Sequence, residues 1–176
     1  VAVGYDAIRN NTTGTRLVGV GRRALKANTT ANDNTALGYH ALELNTTGSE
    51  NTAVGANALD ANTTGDGGAA FGLGALGNNT TGAENTALGT SSMQQNTTGA
   101  SNVGVGNQAL KANTTASNNT ACGYKALLSN TTGTLNTAVG TFAMDANTTA
   151  SGNEAFGYGS LSANTTGSPN TAVGTS

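Results

Sequence analysis

The sequence contains no tryptophan, one proline, one histidine and one cysteine, and only 9% of its 176 residues are charged. Each shortage excludes something. The lone thiol, Cys122, cannot build an intrachain disulfide framework or a cysteine-rich zinc site. Seven basic against nine acidic side chains leave a net charge of −2, and Arg22-Arg23 is the only adjacent basic pair. That is not the footprint of a nucleic-acid binder. No run approaches the roughly 18 apolar residues of a membrane span, so no membrane insertion is expected here. The first residues, Val1-Ala2-Val3-Gly4-Tyr5-Asp6, lack the layout of a signal peptide. Leu, Ile, Val and Phe together number 27, about 15% of the chain and below the level at which a disordered composition is suspected.

What is there instead is Asn, Thr, Ala and Gly, at 24, 31, 29 and 26 residues, and their order is fixed. Asn-Thr-Thr begins at Asn11, Asn28, Asn45, Asn62, Asn79, Asn96, Asn113, Asn130, Asn147 and Asn164, a constant spacing of seventeen with no insertion or deletion. A disordered tract has no reason to hold phase; a stack of equal coils must. Taking that Asn as column 1, the consensus is N-T-T-G-x-x-N-T-A-V-G-x-x-A-L-x-x. Column 10 (Val20, Leu37, Val54, Phe71, Leu88 and onward) and column 15 (Leu25, Leu42, Leu59, Leu76, Met93 and onward) are apolar in every copy. Both are expected to be buried. Column 11 is always Gly, as a positive φ or a very close backbone approach would demand.

A repeat this short cannot hold a helix–turn–helix, and each copy carries several helix breakers. Thr-Ala-Val and Ala-Leu runs between Gly and Asn turns read as strands of three to five residues. The expected fold is all-β: a parallel β-solenoid (β-roll) of about ten 17-residue coils, one repeat array over residues 1–176. At strand spacing it makes a rod of roughly 50 Å. Two sizeable apolar side chains per coil do not offset the ordering of a whole repeat. The Asn of column 1 in all ten copies, and of column 7 in all but Leu17 and Gly68, are therefore expected to form hydrogen-bonded ladders between coils.

Column 9 is always Ala or Gly, and beside an inward column 10 it would face outward. An outward column that never accepts a larger residue implies close packing on another chain. Ala36, Ala53, Ala70, Ala87, Ala121, Ala138, Ala155 and Ala172 are thus the expected inter-chain contact of a homo-oligomer. On that expectation Ala53→Arg or Ala138→Glu breaks assembly.

The Asn-Thr-Ala-Val-Gly segments (Asn51–Gly55, Asn136–Gly140, Asn170–Gly174) and Asn-Thr-Ala-Leu-Gly segments (Asn34–Gly38, Asn85–Gly89) resemble head repeats of trimeric autotransporter adhesins. They are similar also to the NTALG/NTTG arrays of bacterial surface fibres and phage tail fibres. The likeness spans the chain, although the period is longer than in the autotransporter head. It implies a left-handed, homotrimeric β-roll, extracellular, on a cell surface or virion. Val1 falls at column 8 and Ser176 at column 13, so a window from a longer, uncapped fibre, or coils stacking end to end, is expected.

Residues with chemistry of their own are scattered. His40 stands at a variable corner column and reads as solvated; Cys122 replaces Val or Leu in column 10 and reads as a core hydrophobe, as do Met93 and Met144 in column 15. The carboxylates recur in no single column, and Asp66-Gly67-Gly68 is a wrong-order fragment of a calcium-binding repeat. No catalytic, cofactor or metal-ligating residue is assigned. Each Asn-Thr-Thr is formally a glycosylation sequon, which an inward Asn could not use. Tyr5, Tyr39, Tyr124 and Tyr158 share column 12, a place for corner packing or for stacking on sugars. The expected function is a non-catalytic structural or adhesive segment of an extracellular fibre. Its partners are copies of itself and a host receptor or glycan; the alternative is an ice- or glycan-binding solenoid. For ice, column 8 would supply the Thr row, but Val18, Ala69, Val103 and Glu154 interrupt it.

Overall fold

Thr and Val stiffen columns 8 and 10 toward extended backbone, and these columns become strands. The computed structural model describes residues 1–176 and contains β1 (Ala2–Val3), β2 (Val18–Val20), β3 (Thr35–Leu37), β4 (Thr52–Val54), β5 (Ala69–Phe71), β6 (Thr86–Leu88), β7 (Val103–Val105), β8 (Thr120–Cys122), β9 (Thr137–Val139), β10 (Glu154–Phe156) and β11 (Thr171–Val173). They form one parallel sheet in chain order. The register never departs from the repeat: Thr35 pairs with Thr52, Ala36 with Ala53 and Leu37 with Val54. One coil per repeat is thus a β-solenoid of about ten turns.

A glycine ends each strand because nothing else fits. Gly55 has φ +136°, and a Cβ on it would lie 2.5 Å from the carbonyl oxygen of Gly72 in the next coil. Tight turns then close the coil. Ala24 N–H donates to Gly21 O (3.3 Å), Lys26 N–H to Arg23 O (3.2 Å) and Asn28 N–H to Leu25 O (3.2 Å). Arg23 (φ 61°) and Leu25 (φ 53°) are left-handed at the third position of the first two turns, the signature of a type II turn. The turns also stack: Leu25 N–H donates to Ala41 O (3.1 Å) and Ala27 N–H to Glu43 O (2.9 Å) in the following coil.

The left-handed residue at column 15 aims its side chain inward. Leu25, Leu42, Leu59, Leu76, Met93, Leu110, Leu127 and Met144 are all fully buried. Opposite them, Ala36, Ala53, Ala70, Ala87, Ala121, Ala138 and Ala155 are also fully buried, within this chain's own core. Ala172, in the last strand, is half-buried. The small column therefore points inward and column 10 outward, the reverse of the sequence-based expectation for both. The interior is too thin for two large side chains, so a Leu from the turn side leaves room for only a methyl from the sheet. Where the turn side grows, the sheet side shrinks further. Gly19 faces branched Ile8, whose Cγ1 would be 2.7 Å from an added Cβ, and Gly104 faces Ser92 and Met93.

Two stability outcomes follow from this inversion. Leu76→Ala is expected to lower unfolding free energy by about 2–5 kcal/mol in chemical denaturation. Ala53→Arg is expected to unfold the array, seen as loss of the β circular-dichroism signal, rather than to release folded monomers.

Candidate functional site: ladders and an outward apolar column

Both Asn columns lie inside the coil and bond in different ways. In column 1, Asn96 Nδ2 donates to Asn79 Oδ1 (2.7 Å) and to Gly99 O (2.9 Å), while Asn96 Oδ1 accepts from Asn113 Nδ2 (2.8 Å). The pattern runs from Asn11 through Asn28, Asn45, Asn62, Asn79, Asn113, Asn130 and Asn147 to Asn164. In column 7, Asn119 Nδ2 donates to Gly133 O (2.9 Å) and its Oδ1 accepts the backbone N–H of Asn136 (3.0 Å). Neither column has a positive φ, so Asn serves here through its side chain and not through tolerance of left-handed backbone. Asn28, Asn45, Asn62, Asn79, Asn96, Asn113, Asn130 and Asn147 are buried with both amide hydrogens committed. A glycan on those nitrogens is incompatible with the fold.

The outward side of the sheet is unusual for a lone chain. Columns 8 and 10 point the same way, so Thr35, Thr52, Thr86, Thr120 and Thr137 stand beside Val20, Leu37, Val54, Phe71, Leu88, Val105, Cys122, Val139 and Phe156. None of that apolar file is buried; Leu37 is 45% and Leu88 49% exposed. Exposed Tyr39, Leu73, Tyr124 and Tyr158 of column 12 flank it. Ten coils at ~4.8 Å and a strand width of about 10 Å make this mixed Thr and apolar face about 500 Å². Sequence periodicity located this file but assigned it to the wrong side. The missing signal was interior width: column 15 holds only Leu, Met and one Ile, and so already fills the coil.

Cys122 belongs to this face and is exposed, not a core residue. His40 is half-buried, not free in solvent. Its ring stacks on Tyr39 (centroids 3.7 Å), Nδ1 lies 2.7 Å from Glu43 Oε2, and Nε2 is buried without a partner. Arg23 Nη1 donates to the other Glu43 oxygen at 3.2 Å. His40 and Cys122 stand five coils apart, roughly 24 Å along the stack, so they do not form a nucleophile–base couple. Arg16 and Asp33 pair on the surface, where the hydrogen bond from the guanidinium holds the Asp33 carboxyl below its usual range. Asp60 goes the other way: burial, reinforced by Glu43, raises it above its usual 3.8 against the pull of nearby backbone N–H groups and His40.

Comparison with protein-family models, with curated proteins and with solved structures finds no match.

Asn96→Ala removes three hydrogen bonds and strands buried partners on both sides. It is expected to cost on the order of 3 kcal/mol, read as a lowered midpoint in denaturant. Asp60 binds its proton more tightly folded than unfolded, so that contribution is present below pH 3.8 and lost as pH rises through the elevated value. Asp60→Asn is therefore expected to be more stable than wild type at neutral pH, the two curves converging in acid.

Proposed function

We propose that the chain is a non-catalytic structural segment of an extracellular fibre, closed into a homo-oligomer by the outward face of columns 8 and 10. The observation that carries this reading is the unbroken apolar file from Val20 to Phe156, none of it buried within the chain. The face that carries it, about 500 Å² per copy with its Thr column, is a large part of the roughly 800 Å² per partner of a standard interface. Parallel, in-register copies around an axis along the rod would hold equivalent residues at one height, so that each Val, Leu or Phe meets its equivalents near the axis of a closed ring. Resemblance to trimeric fibre heads favours three left-handed chains around one axis, each turning its file inward.

The mechanism is mechanical. Equal coils give reach, the interlocked turns and ladders give stiffness, and a receptor or glycan on a host or cell surface is the adhesive partner. Ice binding has less support. Column 3 does present an exposed Thr in all ten coils, but it is a single file, and column 8 is broken by Val18, Ala69, Val103 and Glu154.

Sedimentation equilibrium on the wild-type chain is expected to give three times 17.2 kDa, whereas Val54→Arg and Leu88→Glu give folded monomers. Mild oxidation is expected to join copies through Cys122, and Cys122→Ser to abolish that product. A wild-type mass of one chain at every concentration overturns the assembly and the fibre role with it.

A further inference from the structure

One coil departs from the others. The repeat that starts at Asn62 and ends at Asn78 carries six glycines: Gly65, Gly67, Gly68, Gly72, Gly74 and Gly77. Gly74 and Gly77 occupy columns 13 and 16, where neighbouring coils carry Arg23 and Lys26, His40 and Glu43, Asn57 and Asp60, or Ser91 and Gln94. This is the one coil in which both side chains of the pair are missing, and a notch of about 350 Å³ opens there. That volume lies at the small end of small-molecule sites.

Its walls are polar. The Asp60 carboxylate leans over Gly77, its Oδ1 3.5 Å from where a Cβ would stand; Gln94 Nε2 leans over Gly74, 3.4 Å from the equivalent point. Asn57 and Ser91 complete the walls, and Asn78 closes one side. Asp60 meets only nearby backbone N–H groups. The side chains of Asn57, Asn78, Ser91 and Gln94 are solvent-accessible and bond to nothing in the chain, so their donors and acceptors face the notch uncommitted. Leu73, 55% exposed, forms an apolar ledge at the rim.

We propose that this notch binds one ring of a neutral, polyhydroxylated ligand, a sugar residue. Amides and a hydroxyl that both donate and accept match hydroxyls that do the same. A carboxylate takes two adjacent hydroxyl donors in charge-assisted bonds, and the Leu73 ledge suits the C–H face of the ring. An isolated cation would find one carboxylate among neutral amides, with Glu43 already engaged by Arg23 and His40. The site lies on the turn columns and uses no residue of columns 8 and 10, so it stands or falls apart from the oligomer.

Saturation-transfer NMR on the assembled wild-type chain tests it, with galactose, mannose and N-acetylglucosamine as probes and butylammonium as the cationic comparator. At least one sugar is expected to bind, about tenfold more weakly to Asp60→Asn and not at all to Gly77→Gln. The filling variant should fold: column 16 already holds Gln94, and a Cβ on Gly77 meets its nearest neighbours at 3.3–3.5 Å without a left-handed φ. Gly74→Asn, matching Asn57 of the same column and its left-handed backbone, gives a second filled notch. Binding of no sugar in the panel, binding of the amine alone, or sugar binding that survives both filled variants overturns the proposal.

Discussion

The hydrogen bond from one buried asparagine to the next is the constraint on which the fold depends. Each complete coil encloses one Leu or Met side chain and one or two Ala methyls from columns 9 and 14, too little apolar burial to order a whole repeat. What remains of the interior is amide. Column 1 ties each coil to the one before, through Asn62 to Asn45 at 2.8 Å, and to its own turn, through Asn62 to Gly65 O at 3.0 Å. Column 7 reaches forward, through Asn51 to Gly65 O at 2.9 Å. The same carbonyl therefore receives one amide from its own coil and one from the coil before. In a low-dielectric interior such bonds polarise one another, and a half-satisfied amide is costly. That asymmetry explains why the repeat tolerates almost any residue at columns 12, 13 and 16 but none except Asn at column 1.

Thinness also sets which way everything else points. Column 15 sits at φ near 50° in every copy, including branched Ile8, a conformation costing roughly 1–2 kcal/mol per residue. Burial of a whole Leu side chain offsets that strain, and the left-handed turn is what aims it inward. Once the turn side fills the interior, the sheet must offer Ala or Gly, and its larger residues are driven to the outer surface. An apolar exterior is thus a consequence of the ladder geometry, and it is the observation on which the proposed self-association rests.

The repeat, the strand positions and the inward asparagines were legible in the sequence because each rests on phase: ten Asn at one spacing cannot be accidental. The facing of the strand was not. Alternation says that columns 9 and 10 point oppositely but not which is inside, and hydrophobicity argues for Val54 over Ala53. Only the width left beside Leu76 decides it, and width is a property of the closed coil. The left-handed Leu column was hidden for a similar reason, since Asn and Gly are the residues a positive φ normally selects. The notch had a sequence signal, six glycines in one coil, that becomes meaningful only once columns 13 and 16 are known to be neighbours.

The coil stack, the outward sheet face and the turn side with its one notch all hang on the same internal amides. Hydrogen exchange at the Asn side-chain amides, followed by NMR, tests those amides most directly. Protons on Nδ2 of Asn45 through Asn147 are expected to exchange as slowly as the strand backbone N–H groups and to lose protection together with them in denaturant. Side-chain protons exchanging at the rate of a free amide while the strands stay protected would contradict the ladder as the element that holds the coils together.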